Sequence, residues 1–237
     1  MKKLMPLLTL AVAACGPAPI DANLKDLPSP ELWAGGTTST KIGYSWERGG
    51  SCYRIPAETR LTVNGEAMPL ELRGDHHLSF DGASSCEWPS FAGTQRPADE
   101  PRTEYIVSDG RSRMRAVFLN LGAERRIRVN GQEQVTLRAG SEVDIEWLPA
   151  TDQLAETDVS LEFESSGAQF TSAQFMKSTS SVRLEGNHIR FTVPLVQKGQ
   201  YILSVYGRGN IGVEVCEGFS ACIATMYDRI NVPVVVE

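Results

Sequence analysis

The chain of 237 residues predicts an all-β protein: two small β-sandwich-like domains behind an N-terminal signal segment and a Pro-rich tether. Three features carry that expectation. Apolar and polar residues alternate with period two in short segments through most of the chain, the pattern of strands with one buried face. Turn dipeptides separate these segments, at Asn64-Gly65, Asp109-Gly110 and Asn130-Gly131, and each can supply the positive φ of a tight hairpin. No longer run repeats its apolar residues at helical spacing.

The N-terminus comes first. Lys2 and Lys3 precede an apolar run from Leu4 to Ala14. That run is too short to cross a bilayer as a helix, which takes about 20 residues, and it fits the apolar region of an export signal better than a buried N-terminal helix. Val12-Ala13-Ala14-Cys15 follows in place. This stretch resembles the lipobox of bacterial lipoproteins. The resemblance implies cleavage after residue 14, a diacylglyceryl group on the sulfur of Cys15 and acylation of its new amino group, and Gly16 in place of Asp implies the outer membrane, with its face left open. Two or more acyl chains hold a protein on a membrane stably where one does not. Residues 15–35, with Pro17, Pro19, Pro28 and Pro30, read as a lipid-anchored flexible linker. Twenty extended residues would reach roughly 60 Å.

Subtracting Cys15 leaves Cys52, Cys86, Cys216 and Cys222. An even set in an oxidising compartment points to disulfides. Three pairings are open; the nearest-neighbour one keeps each bridge inside one domain. A four-thiolate metal site is the weaker reading, because zinc sites bring close pairs such as C-x₂-C, which this chain lacks.

The body divides into an N-terminal β-domain over 36–122 and a C-terminal one over 123–237. In the first, Leu61 and Val63 alternate with polar residues before Asn64-Gly65, and 105–121 reads as strand, turn, strand. "RLTVNG" at 60–65 and "RIRVNG" at 126–131 look alike, but two hairpins with one turn chemistry account for that without a repeat. In the second, 140–152 is the clearest strand, with Val143, Ile145 and Trp147 on one face and Glu142, Asp144 and Glu146 on the other. Further alternating segments follow at 159–166, 188–194 and 201–207. Gly140-x-x-Val143-x-Ile145-x-Trp147 and Gly199-x-Tyr201-x-Leu203-x-Val205 resemble strands of immunoglobulin-like and fibronectin-type-III-like sandwiches, the second being similar to the strand that carries a tyrosine corner. No cysteine lies near Trp147 or Tyr201, so the likeness is to the architecture and not to an antibody domain. It implies binding, adhesion or spacing.

Composition narrows the function further. The chain is 41% hydrophobic and 22% charged, enough to bury real cores, and its net charge is −6. Losing Lys2 and Lys3 with the signal segment leaves −8. With no basic cluster, neither nucleic acid nor an anionic lipid surface is an expected partner. No nucleophile motif, phosphate-cradling loop or H-E-x-x-H is present, so no catalytic residue, metal site or cofactor is expected. His76 and His77 are adjacent and would face opposite ways in a strand; His188 would face out, opposite Ile189. Arg73-Gly74-Asp75 spells an integrin-binding tripeptide but reads as a polar turn. Trp147 belongs to the core. Trp88 either packs on the Cys86 bridge or, with Trp46 and Tyr53, forms an aromatic platform for a cell-wall glycan. Phe219, at the tip of the loop between Cys216 and Cys222, either contacts a partner or tucks down. The expected role is therefore a non-catalytic, lipid-anchored envelope module that binds, adheres or spaces, its partners the membrane and another envelope protein or a cell-wall glycan. A glycan hydrolase with a carboxylate pair and a carbohydrate-binding module are the alternatives. Replacing Cys15 by Ser should release the protein from the membrane fraction and abolish acyl labelling; retention of both would remove the anchor.

Overall fold

The computed structural model describes residues 18–34, 39–45, 51–78, 84–93, 100–132, 135–155, 159–165, 174–177 and 182–237. Among them the only helical turn is a 3₁₀ turn at Leu24–Asp26, and the fold is otherwise strands and connections. The lipobox and Cys15 lie outside these residues, as does Trp46.

The second sandwich has one sheet in the spatial order Arg126–Val129, Glu142–Leu148, His188–Thr192, Val182–Glu185. The other runs Val135–Leu137, Thr225–Val236, Gly199–Asn210, Ser160–Ser165, Gln174–Lys177. Lettered along the chain, these are strands A, B, E, D against A′, G, F, C, C′, the immunoglobulin-like topology. Its core follows the alternation read in the sequence: Val143, Ile145 and Trp147 are at most 1% exposed. Phe163 and Phe191, from opposite sheets, meet with ring centroids 5.9 Å apart. A Cβ on Gly207 would stand 2.6 Å from the Trp147 ring, so the missing side chain is what lets the indole reach the facing sheet. The Tyr201 hydroxyl donates to the Gln197 carbonyl at 2.8 Å, the bond of a tyrosine corner.

The first sandwich pairs two five-stranded sheets. One runs Ala221–Ile223, Glu31–Ala34, Ser39–Gly43, Ser90–Ala92, Leu70–Leu72; the other Val213–Glu217, Arg113–Leu119, Arg102–Ser108, Arg60–Val63, Glu66–Met68. Leu32, Ile42 and Phe91 from the first and Leu61, Tyr105, Val107 and Phe118 from the second are fully buried.

Two expectations need correction here. The linker drawn over 15–35 ends sooner: Ile20–Asp21 pairs in parallel with Tyr53–Arg54, and Glu31–Ala34 is an interior strand. The apolar residues among the prolines explain this, since Leu24, Leu27 and Leu32 are at most 4% exposed; each fully buried leucine adds about 1.5–3 kcal/mol. The single boundary near 122 also fails to describe the chain. After Asn210 the chain leaves the second sandwich, adds one strand to each sheet of the first, and returns at Ala224. Local patterning carries no trace of that detour, because each strand's partners lie about a hundred or more residues away. Cys216 and Cys222 are joined within the detour, and Cys52 and Cys86 within the first sandwich.

The join between sandwiches is polar and buried. Arg125 sits against Asp152 with Nε–Oδ2 at 3.0 Å, their side chains 8% and 0% exposed. The guanidinium also donates to the carbonyls of Asn120, Leu121 and Ala123, and Asp152 accepts from Trp147 Nε1 at 3.1 Å. Removing one partner of such a pair strands the other charge, so Arg125→Met should lower the unfolding free energy by about 3–5 kcal/mol in urea titrations, and a cost near zero would refute the pair's role.

Asp109 plays a similar part at the start of the fold. Its carboxylate accepts from the N–H of Leu24 at 2.9 Å, Arg111 at 3.0 Å and Ser112 at 2.7 Å. Burial by itself pushes the carboxyl up; these donors outweigh it and hold the pKa below the ordinary value. A folded-state pKa below the unfolded one, about 3.9, contributes stability that is complete above the unfolded value and lost as pH falls through the folded one. Asp109→Asn should therefore lower stability at pH 7 and flatten its decline between about pH 5 and 2 in urea titrations; an unaltered acid limb would count against it.

Candidate functional site

The outer face of the sheet containing Glu31–Ala34 carries an unusual set of side chains. Along that strand Leu32 and Ala34 turn into the core, which sends Glu31 and Trp33 outwards. Strand register aligns Trp33 with Lys41, Lys41 with Ser90, and Ser90 with Leu72, in one row across the sheet. Trp33 Nε1 donates to Glu31 Oε2 at 3.0 Å, which fixes the indole over the strand. Gly43, opposite Glu31, makes room: a Cβ there would lie 3.0 Å from Trp33 Nε1 and 3.4 Å from Trp88.

Trp88 is brought to this face from another element. The Cys52–Cys86 bridge ties down the strand Ser84–Glu87, which pairs with Asp75–Leu78. The Pro89 carbonyl then accepts from Ile42 N at 2.9 Å, drawing the chain across the sheet. Trp88 comes to rest beside Trp33, ring centroids 5.9 Å apart and planes tilted by 31°. Both indoles are half-buried. Beside Trp88 lies a depression of about 390 Å³ lined by Lys41, Leu72, Cys86, Glu87, Trp88 and Ser90.

The other residues singled out in the sequence fall elsewhere. Tyr53 packs edge-on against Tyr44 at 5.3 Å, and its backbone N–H donates to the Tyr44 hydroxyl; burial pushes that phenol's pKa up. Phe219 is 8% exposed and joins the core, so as a contact residue it is corrected: the bridged loop tucks it down. His188 faces out as expected, its Nδ1 2.9 Å from Asp144 Oδ2. In the Arg73-Gly74-Asp75 tripeptide, Arg73 Nε donates to the Ile55 carbonyl and Asp75 faces Arg54 at 3.6 Å. Gly74, at φ +99°, would place a Cβ 2.3 Å from the Tyr53 carbonyl oxygen. That tripeptide is a structural joint. The side chains of His76 and His77 lie outside the description. Among the described residues no group of three His, Cys, Asp or Glu side chains is placed to hold a metal. Of the carboxylates at the join, Asp152 is committed to Arg125 and Trp147. Asp228 beside them is held above its ordinary pKa, first by burial and then by the Asp152 charge, with Arg125 opposing.

Trp33 is the residue of this candidate site that the sequence did not single out as a contact. The signal was local: in Glu31-Leu32-Trp33-Ala34 the alternation puts the tryptophan on the face opposite a buried leucine.

Fold and site together define an all-β protein of two joined sandwiches, the second immunoglobulin-like, with a tryptophan-walled depression on the first. No family model and no curated protein matches the chain. Solved structures align with it at low similarity. The three N-terminal domains of the highly immunogenic outer capsid protein of bacteriophage RB49 are 9% identical over 89% of this chain and 67% of theirs, with a TM-score of 0.32. The eight N-terminal Ig domains of the Down syndrome cell adhesion molecule are 9% identical over 86% of this chain and 23% of theirs, at 0.24. The chicken interferon gamma receptor alpha chain is 10% identical over 92% of this chain and 100% of its own, at 0.25. The chain thus spans only part of the first two, and scores this low carry no functional argument; the immunoglobulin-like description stands on strand order.

Proposed function

We propose that the protein is a lipid-anchored, non-catalytic module of the cell envelope, held on the outer membrane through Cys15, which binds an envelope partner with the Trp33–Trp88 face of its first sandwich. The observation that carries the reading is the paired, half-buried indoles on an outer sheet face, fixed there by a disulfide, a glycine and a carboxylate. Tryptophans that are rigid and half-exposed supply large contact area at small entropic cost. Only Gly16 to Pro19 separate the anchor from Ile20, which already pairs with Tyr53, so the first sandwich is the one presented next to the membrane and the second extends beyond it. The lipobox in the sequence supports the anchor, and the two disulfides support an oxidising compartment outside the cytoplasm.

The test is a photo-crosslink from intact cells. A benzophenone amino acid at Ser39, on the same face two residues along the strand from Lys41, should give a discrete adduct, to protein or to wall material, that disappears when Trp88→Ala is added. Absence of any adduct, or one indifferent to Trp88, would overturn the binding role.

A further inference from the structure

We propose that the depression beside Trp88 is a saccharide subsite that takes an uncharged pyranose ring. The inference deepens the preceding reading and rests on it. Its ground is the mixture of groups around one small hollow. One wall is an indole, Trp88, backed by Trp33. The lining also brings together Lys41, Glu87 and Ser90, residues with an ammonium, a carboxylate and a hydroxyl, and the apolar Leu72 and Cys86. A pyranose has the matching anatomy: axial C–H bonds make an apolar face that lies on an aromatic ring, and hydroxyls around its edge each donate and accept. Lys41 offers only donors, a carboxylate has about four acceptor sites and so keeps capacity beside a neighbour, and Ser90 can do either. At about 390 Å³ the hollow falls at the small-molecule end of binding sites, about 300–1,000 Å³, and is too small to seat a partner helix.

Other flat ligands fit the rim less well. A nucleotide would stack on the same indole but needs its phosphates neutralised, and here one lysine faces one carboxylate in a chain of net charge −6. A purely apolar molecule would cover the Lys41 ammonium and offer it nothing in place of water, which costs more than the stacking returns. Opposite charges at the rim also favour a neutral sugar over an acidic one.

The subsite is built before ligand arrives. Glu31 holds Trp33, Trp33 and Gly43 hold Trp88, and the Cys52–Cys86 bridge holds the strand that supplies Glu87. Gly43 therefore acts as a positioning residue. Its backbone φ is an ordinary one, so Gly43→Ala strains nothing locally and acts only by displacing the indoles.

Calorimetric titration of the purified full chain with chitotetraose and with cellotetraose tests this, since both carry the neutral pyranose and differ in the acetamide. Saturable binding of either is expected. Trp88→Ala should weaken it by at least about tenfold, as removal of an anchoring tryptophan does, and Gly43→Ala and Lys41→Ala by several-fold, with circular dichroism melts that show each variant folded. Lys41 is exposed, so its variant decides the matter where Trp88→Ala does not fold. No saturable binding of either tetrasaccharide, or binding unchanged by the variants, overturns the subsite. If the sugars fail while the Ser39 crosslink in cells still depends on Trp88, the face binds and the saccharide assignment alone is wrong; if both fail, the face itself is.

Discussion

An unpaired strand edge is the constraint that shapes this molecule. Both sheets of the first sandwich end in a strand borrowed from the second: Val213–Glu217 beside Arg113–Leu119, and Ala221–Ile223 beside Glu31–Ala34. Without the borrowed strands each sheet would present a row of open N–H and C=O groups over apolar side chains, a template for aggregation. The detour that supplies them is stitched at every point. Gly212 and Ala224 accept backbone bonds as it leaves and returns, Ser220 bonds back to the Pro30 carbonyl, Phe219 enters the core and Cys216–Cys222 closes the turn between the two sheets. The new outer edge of one sheet carries Glu214 and Glu217, paired with Arg102 and Arg115, and charge on an edge strand discourages further pairing.

This arrangement explains why the join between sandwiches can be polar. The paired strands Gly199–Asn210 and Thr225–Val236 run on into the detour, so the two units are held by backbone ladders as well as by the 120–125 connection. Arg125 and Asp152 then need not supply net stability, which buried pairs seldom do. Their use is in geometry: one guanidinium satisfies a carboxylate and three carbonyls at the bend, and the carboxylate satisfies the indole of the second core. Asp228 bears the cost, held partly buried beside a like charge.

What the sequence disclosed divides along the same line. Features set by neighbours in the chain were legible: the strand at Glu142–Leu148, the Asn-Gly turns, whose Asn64 and Asn130 do adopt positive φ, and Tyr201, whose corner bond spans four residues. Features set by distant pairing were not. The stretch around Leu24 and Leu32 looked like tether because prolines dominate locally, yet its leucines are core residues once Ala221–Ile223 lies alongside. Phe219 could be read either way, because a short bridged loop can present its tip or tuck it down; the bond of the next residue, Ser220, to the Pro30 carbonyl comes only with the fold. Of the site, Trp88 was legible and its partner was not, since the two meet only after a disulfide has bent one strand across another sheet.

The position of that site follows from the same constraint. With Ala221–Ile223 alongside, Glu31–Ala34 is an interior strand, and the face it turns away from the core is free to specialise. In the second sandwich, the outer face of the Glu142–Leu148 sheet is covered by cross-strand charge pairs, Arg128 with Glu146 and Arg190 with Asp144 and Glu185. Such a face is well solvated and offers little to desolvate against a ligand. The Glu31–Ala34 sheet instead sets Trp33 in a row with one ammonium and one hydroxyl, with Trp88 beside it, and holds both indoles by groups already committed to them. Preorganised aromatic surface loses little entropy on binding, and that difference between two otherwise similar faces is the physical reason to seek the ligand on the first sandwich.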